Sequence, residues 1–265
     1  MDETRIKEIC NDANEVFIAE SLSAYPKFKF LPSWLKSKSF YLKSERSNPN
    51  SNYKVYNRGA IVYVDFGVNV GYELSGNHFA VVMNNKDNCK NGVVTVIPIS
   101  SKEKRSYISV GKVIEIQSIK HFASHSDKLG TDFSCLLRAL IYKDIVTEEQ
   151  FEKMNNGWSK LLNRYPKITG EVALARVEQW GLDLEDYDKI LQKLESIFAD
   201  LEAYRKVFIA YQKYTKESYV MPLNIQSISK YRIKKINKFD PSSRIKAPAD
   251  VMLNIDSSII KSFTK

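Results

Sequence analysis

Three short apolar runs between positions 61 and 99 predict three consecutive β-strands. The runs are rich in β-branched and aromatic residues, and they span Ile61–Phe66, Phe79–Met83 and Val93–Ile99. Polar, glycine-containing stretches separate them, as expected for turns. A fourth strand is predicted over Lys112–Ile116. Polar residues collect where these strands end, so this segment is the first place to look for a functional site.

Apolar residues recur at three- and four-residue steps elsewhere in the chain, which predicts amphipathic helices. The predicted helical segments are residues 4–25, Leu136–Ile145, residues 147–164, residues 184–215 and a final helix that begins near Pro248. Thr147 and Gln150 have the spacing of a capping box. The stretch from Pro26 to Tyr56 is expected to form an extended or partly helical wrap.

The segment 184–215 has a regular heptad pattern. Its apolar positions alternate steps of four and three residues, and they are Ile190, Leu194, Ile197, Leu201, Tyr204, Phe208 and Tyr211. This seam predicts an antiparallel hairpin with the preceding helix. A coil that binds a partner or dimerises has the same spacing and remains the alternative.

The order of these elements predicts an α+β protein in which helices interrupt a β domain. Strands predominate before residue 117, helices follow, and a β signal resumes at Tyr219–Gln226 before the final helix. This order favours an insertion over two domains in tandem. The predicted parts are an N-terminal helix and basic extension (1–57), a discontinuous β domain (58–116 and 218–265) and a helical insertion (117–217).

The net charge of +9 is concentrated in two segments. Residues 26–58 carry +7 and residues 221–265 carry +6, whereas residues 1–25 carry −4. Lysine and arginine side chains on one surface favour a polyanionic partner such as a nucleic acid, because they release counterions from phosphates. A basic solvated surface without a dedicated partner has the same composition.

Composition argues against several classes of protein. No apolar run approaches the ~20 residues of a membrane span, and the acidic N-terminus is unlike a secretory signal. Cys10, Cys89 and Cys135 are widely spaced, which predicts a reducing, cytoplasmic location without a disulfide framework. His121 and His125 have metal-ligand spacing on a helix, but no strong third ligand accompanies them. Neither a metal nor a cofactor is therefore predicted.

Several motifs in the β region are recognisable. The first three are Arg58-Gly-x-Ile-Val-x-Val-Asp65-Phe, Gly71-x-Glu73-x-x-Gly76-x-His78-x-Ala80-Val-Val and Val96-Ile-Pro98-Ile-Ser100-Ser101-Lys102. A later run is Leu223-Asn-Ile-Gln226-Ser-Ile-Ser229-Lys-x-Arg232-Ile. In this order they resemble the MazF/PemK family of toxin endoribonucleases from bacterial toxin–antitoxin systems, over about 58–116 and 218–262.

The resemblance implies a small SH3-like β-barrel with a C-terminal helix, which cuts single-stranded RNA without a metal and halts growth. The ribose 2′-hydroxyl attacks the adjacent phosphate and leaves a 2′,3′-cyclic phosphate and a 5′-hydroxyl. This reaction needs a group that takes the 2′-hydroxyl proton, donors for the charged phosphorane and an acid for the 5′-oxygen.

The resemblance implies His78, Ser100 and Ser101 as the catalytic residues. The family usually has an arginine where this chain has His78, and a threonine or serine at the position of Ser100. A histidine can act as an acid or a base near neutral pH, but another cation must then supply the fixed positive charge. Alternatively, the substitution marks a site that binds RNA without cutting it well. The expected substrate-binding residues are Arg58, Glu73, Lys102, Lys104, Gln226, Lys230 and Arg232.

The expected partners are a single-stranded RNA substrate, a cognate antitoxin and, because such barrels often pair, a second copy of the chain. The antitoxin is a protein in most of the family and an RNA in a related group, which the run Pro98–Lys102 also fits. An alternative from another class is a non-catalytic module that binds RNA or DNA on the same barrel.

Overall fold

The three strands predicted between positions 61 and 99 are part of one antiparallel sheet in the computed structural model, which describes residues 1–47, 52–150 and 162–264. The chain folds into two compact units. The first comprises Met1–Ile114, Thr215–Lys235 and Ser242–Lys265, and it contains the sheet. The second comprises Glu115–Tyr214 and Ile236–Pro241, and it is helical. The domain boundaries drawn from the sequence stay a prediction.

The sheet brings strands from both halves of the chain together. Within the described residues its strands are β1 (Ile61–Asp65), β2 (Asn77–Val82), β3 (Val93–Ser100), β4 (Ile108–Gly111), β5 (Ser218–Val220), β6 (Gln226–Ser229) and β7 (Ile233–Lys234). Their order is β4-β5-β3-β2-β1-β7, and β6 also pairs with β3. The presence of this open antiparallel sheet together with helices confirms the mixed α and β class. The SH3-like barrel and the insertion stay predictions.

The fourth strand lies at Ile108–Gly111, so its prediction over Lys112–Ile116 is wrong. Gly111 has a φ of 60°, which a glycine adopts without steric cost, and the strand ends there. A helix begins at Val113. Val113, Ile114 and Phe122 are buried in this helix, whereas Ile116 is exposed, so two of the three β-branched residues that suggested a strand belong to the apolar face of the helix.

The helices that lie wholly within the described residues are α1 (Glu3–Leu22), α2 (Leu31–Ser47), α3 (Val113–Tyr142), α4 (Gly170–Gln179), α5 (Tyr187–Tyr211) and α6 (Ala249–Phe263). In the first unit, α1 begins at an Asp2 cap and buries none of its residues. A short turn over Phe28–Phe30 leads into α2, so the stretch expected to be an extended or partly helical wrap is largely helical.

The sheet is apolar on both faces. One face is built from Val62, Val64, Phe66, Ala80, Val82, Val94 and Val96. Ile61, Val81 and Ile97 alternate with them and are also buried. Helix α6 buries Val251 and Ile255, as the predicted apolar face of the final helix requires. Burial of both faces places polar side chains at the strand ends, where they can reach solvent or a ligand.

The second unit has a core of its own. Leu136, Leu137 and Leu140 of α3 pack with Val177 of α4 and with α5. The α5 seam is used inside this unit: Ile190 and Ile197 lie in the core, and Tyr204, Phe208 and Tyr211 hold rings within 6 Å of Phe122. Helix α3 also includes most of the segment Leu136–Ile145 that was predicted to be helical.

The capping box at Thr147 is confirmed by its hydrogen bonds. The Gln150 N–H donates to Thr147 Oγ1 at 3.2 Å, and the Thr147 N–H donates to Gln150 Oε1 at 2.8 Å. Most of the helix predicted after it, residues 151–161, lies outside the described residues. None of the helices in the described part of the chain has the length and apolar content that a membrane crossing needs.

Candidate functional site

Polar side chains from distant parts of the chain meet at one edge of the sheet, where β1 and β3 end and β2 begins. In the β1–β2 register Asp65 lies opposite Asn77. The β2–β3 register pairs Ala80 with Pro98, and its continuation places His78 opposite Ser100. Arg232 directly precedes β7, at the end of the 3-10 turn Lys230–Arg232, and its Nε reaches the main-chain oxygen of Asp65. We call these five residues, Asp65, Asn77, His78, Ser100 and Arg232, the Ser100 edge.

Strand spacing sets the scale of this edge. Neighbouring strands lie about 4.8 Å apart, so His78 and Ser100 are about one spacing apart and Arg232 is about 10 Å from His78. Directly opposed residues in an antiparallel pair also project from the same face. The histidine and serine predicted as catalytic are therefore neighbours on one face. Asp65 alternates along β1 with Val64, the partner of His78, so Asp65 and the Arg232 beside it lie toward the other face, about two strands away.

His78 is held by main-chain carbonyl groups. Its Nδ1 lies 3.3 Å from the Ile99 oxygen and its Nε2 lies 3.2 Å from the Ser75 oxygen, and the ring packs against Phe66. A carbonyl oxygen accepts only, so both contacts are hydrogen bonds only when both ring nitrogens carry protons. In the neutral ring one nitrogen faces a carbonyl without a proton between them.

Ser100 ends β3 with its hydroxyl in a local turn. The Lys102 N–H donates to Ser100 Oγ at 3.0 Å, which leaves the hydroxyl hydrogen of Ser100 to donate elsewhere. Ser101, Lys102 and Lys104 are all exposed, and Lys104 lies over the Tyr107 ring. The chain thus presents one oriented hydroxyl and two exposed cations just beyond the edge.

The loop before β2 carries Glu73 and is closed by local hydrogen bonds. The Asn69 side chain donates to the Phe66 and Leu74 carbonyl groups, and the Asn69 N–H donates to Ser75 Oγ. Ser75 also supplies the carbonyl that faces His78. Glu73 lies on the outside of this loop and is exposed.

Asp65 organises the other side of the edge. This buried carboxylate accepts from Tyr41 Oη at 3.0 Å and from the Gly67 N–H at 3.1 Å, and it pairs with Lys234 at 2.6 Å. Burial and the Asp65 charge raise the pKa of Tyr41, so its phenol stays a donor. The sequence analysis missed Asp65 as an organising residue, although a carboxylate directly after a buried strand was a usable signal.

Arg232 reaches the edge through Asp65. Its Nε donates to the main-chain oxygen of Asp65 at 2.8 Å, and its guanidinium lies 5.4 Å from the centre of the Trp34 ring. Burial lowers the pKa of Arg232, while the neighbouring Asp65 raises it. An arginine nevertheless remains charged in proteins.

Three of the predicted substrate-binding residues are not brought to the Ser100 edge. Arg58 donates to the Met83 oxygen and pairs with Asp256. Met83 is five residues from His78, a distance of about 17 Å along an extended strand at about 3.3 Å per residue. Lys230 pairs with Asp87 near the start of β3, at the opposite end from Ser100. Gln226 lies opposite Val96 in the middle of β3.

The helical histidines are occupied by main-chain contacts. His121 Nε2 lies 3.2 Å from the Phe239 oxygen, and His125 Nδ1 lies 2.9 Å from the His121 oxygen. No cluster of three or more histidine, cysteine, aspartate or glutamate side chains suited to a metal ion occurs in the described ranges.

Comparison with known proteins identifies the class of this segment. The family model of PemK-like, MazF-like toxins of type II toxin–antitoxin systems matches residues 57–125, about a quarter of the chain. The resemblance drawn from the first three motifs is thereby confirmed, and the match includes His78, Ser100, Ser101 and Lys102. The second signature around Arg232 lies outside it. No curated protein matches the chain.

The match supports a toxin of a type II toxin–antitoxin system, for which a cognate protein antitoxin is the implied partner.

Proposed function

We propose that this protein is a metal-independent endoribonuclease toxin that cuts single-stranded RNA at the Ser100 edge. The 2′-hydroxyl oxygen attacks the adjacent phosphorus, the bond from phosphorus to the 5′-oxygen breaks, and the products carry a 2′,3′-cyclic phosphate and a 5′-hydroxyl. The fold that carries this reaction would be an SH3-like barrel, with residues 117–217 inserted into it.

One observation carries the proposal: His78 Nδ1 lies 3.3 Å from the carbonyl oxygen of Ile99, the residue before Ser100, inside the segment that matches the toxin family. Cleavage needs a group that exchanges a proton and a donor for the charged phosphorane. The imidazole of His78 would take the 2′-hydroxyl proton and return it to the 5′-oxygen as the bond from phosphorus breaks, and the hydroxyl hydrogen of Ser100 would be the donor to the phosphorane. Exposed Lys102 and Lys104 add positive charge next to Ser100.

His78 would act by exchanging one of its carbonyl contacts for the substrate. Nε2 faces the Ser75 oxygen in the exposed loop, so this nitrogen is the better placed to turn toward a ribose or a leaving oxygen. Nδ1 faces Ile99 within the sheet and would keep the ring oriented. The reactive nitrogen of such an acid or base would tighten onto the substrate only after binding.

The same carbonyl contacts of His78 also favour a second function. Because both ring nitrogens of His78 lie within hydrogen-bonding distance of main-chain carbonyls, the histidine can be structural, and the edge would then bind RNA or DNA without cutting it. This function predicts salt-sensitive binding and no product, since phosphate contacts release counterions.

Product mapping separates the two functions. We expect wild-type protein to cut single-stranded RNA in EDTA and to leave cyclic-phosphate ends. His78→Ala and Ser100→Ala should each lower the rate by at least about 100-fold, the usual range for loss of acid–base or charge-stabilising groups. His125→Ala is the matched control, because it removes a histidine that also contacts a carbonyl.

The variant His78→Arg restores the residue that the family usually has at this position. Retained or faster cleavage would show that positive charge is what the position supplies, whereas loss of cleavage would assign proton transfer to His78. Intact RNA in every reaction, with binding retained, would refute the nuclease and favour the binding module.

We also propose that the protein antitoxin, not an RNA, neutralises the toxin, because the matched family is of type II. A homodimer and a cytoplasmic location are expected from the same resemblance. Co-purification with the product of a neighbouring reading frame tests the antitoxin.

A further inference from the structure

We propose that Arg232 forms a second phosphate-binding subsite, and that helix α2 of the N-terminal extension builds it. This subsite would hold a backbone phosphate of the RNA near the one that is cut, but not the same phosphate. The inference rests on the proposed function for the identity of the ligand.

The position of Arg232 separates it from the reacting groups. Its hydrogen bond to the main-chain oxygen of Asp65 places it beside that residue, about two strand spacings from His78 and three from Ser100. A distance of about 10–14 Å is too long for one phosphate to contact both Ser100 and Arg232. Arg232 also lies toward the face opposite to His78 and Ser100, so an RNA strand that bends around the strand ends would reach it a few nucleotides away from the cleaved bond.

Two contacts orient the guanidinium. Nε is fixed by the Asp65 carbonyl group at 2.8 Å, and the plane of the group is supported by the Trp34 ring at 5.4 Å. Neither contact is a hydrogen bond of the terminal nitrogens, which are the atoms that bind a phosphate in a bidentate way. Arginines held on an aromatic ring lose less freedom when they bind.

The local charge leaves this arginine available for an anion. Asp65 is the carboxylate beside it, and Lys234 pairs with that carboxylate at 2.6 Å. Tyr41 and the Gly67 N–H donate to the same group. Lys234, not Arg232, forms the ion pair with the Asp65 carboxylate. Asp65, Lys234 and Arg232 together therefore carry a net charge of one positive unit.

Helix α2 supplies the two aromatic residues of this subsite. The Trp34 ring lies so close to Gly67 that a Cβ there would be 2.5 Å from it, so the ring position is tightly defined. Tyr41 from the same helix binds Asp65. Residues 31–47 lie outside the segment that matches the toxin family, so this contribution belongs to this chain's own extension.

The test measures binding of 2′-O-methyl oligonucleotides, which cannot be cut, at several salt concentrations. For single strands the slope of log K against log salt is about −0.7 per phosphate contact. We expect Arg232→Gln to reduce the steepness by about 0.7 and to weaken binding about tenfold, the effect of one charged hydrogen bond. Arg232→Lys should keep the slope and recover part of the affinity.

Trp34→Leu tests the positioning role of α2. It leaves the charge in place, so the slope should stay at the wild-type value while binding weakens several-fold. Lys90→Gln is the matched control: it removes an exposed cation from the loop between β2 and β3, at the other end of the sheet, and should change neither quantity. Circular dichroism melting checks that each variant is folded.

Oligonucleotides shortened one nucleotide at a time locate the contact. The penalty of Arg232→Gln should vanish once the phosphate it binds is missing, while His78 variants keep their effect on cleavable RNA. If Arg232→Gln binds every length with the wild-type affinity and slope while wild type still cuts RNA, the subsite is refuted and the nuclease stands. If wild type cuts nothing but the slope changes as expected, the nuclease fails and the subsite stands.

Discussion

Lys230 and Asp87 form an ion pair that is almost fully removed from solvent, with 3% and 0% of their side chains exposed. Burial raises the pKa of Asp87, but hydrogen bonds from Lys230 and from the Tyr56 N–H outweigh it and hold the pKa below its usual range. Lys230 also donates to the Asn88 oxygen. These contacts assign it a role in stability, although its sequence suggested contact with RNA.

Lys230→Met should therefore lower the free energy of unfolding at pH 7 by about 3–5 kcal/mol, because it leaves a buried carboxylate unpaired. Since the folded pKa of Asp87 is depressed, its contribution in wild type is present above its unfolded pKa of about 4 and lost as the pH falls through the folded value. Urea unfolding at pH 7 and in acid measures both effects. The double variant Lys230→Met/Asp87→Asn should recover part of the loss, and no recovery would contradict the assignment.

Gly67 is constrained by both its backbone and its neighbour. Its φ is 78°, and a Cβ would meet the Trp34 ring at 2.5 Å. Gly67→Ala should therefore cost more than the 1–2 kcal/mol or so that a left-handed backbone alone imposes. Gly71→Ala is the control, because Gly71 has a φ of 57° but nothing within 4 Å. Equal unfolding free energies for the two variants would show that the Trp34 contact is unimportant in solution.

Helix α1 has local order without tertiary burial. It is capped by Asp2 and carries an exposed apolar face that includes Ile6, Ile9 and Val16. In contrast, α2 places Trp34 and Tyr41 against the sheet. Of these two consecutive helices, α1 is therefore stabilised by local interactions and α2 by packing against the sheet.

Removal of residues 1–23 should leave the melting temperature within about 2 °C of wild type, because α1 buries no residue and surface changes cost about 0.5 kcal/mol or less. Ile255→Ala in α6 is the comparison. Ile255 is fully buried, so this variant should lose about 2–5 kcal/mol. A large drop in melting temperature on removal of α1 would mean that the helix packs in solution.

The described part of the chain contains two distinct clusters of buried apolar residues. One is formed by sheet residues such as Val62 and Ile228, and the other by helical residues such as Leu136 and Ile197. Separate cores can unfold as separate cooperative units.

Calorimetry should therefore resolve two unfolding transitions. Leu136→Ala should lower the temperature of one and Val62→Ala that of the other, because each removes a side chain that is completely buried in its own core. A single transition that both substitutions shift equally would show that the two units unfold as one.

The sequence by itself determined the local elements and the central motif. Residues 61–99 formed the expected strands because their apolar pattern is a local property of the sequence. The capping box at Thr147 also formed as expected, because it too depends only on residues close together in sequence. The sequence also placed His78 and Ser100 at strand ends within the segment that matches the toxin family. The prediction from sequence was wrong at Lys112–Ile116. A short apolar run of this kind fits either a strand or a helix, and only packing distinguishes the two.

Only the tertiary structure decided which basic residues belong to the edge. Arg58, Lys230 and Arg232 are all cations near recognisable motifs, yet Arg58 and Lys230 are held in ion pairs elsewhere and Arg232 reaches Asp65. Strand register and long-range pairing bring residues 34, 65 and 232 together, and neither is encoded in local periodicity. Residues far apart in sequence become neighbours only when the sheet aligns them and burial selects their partners.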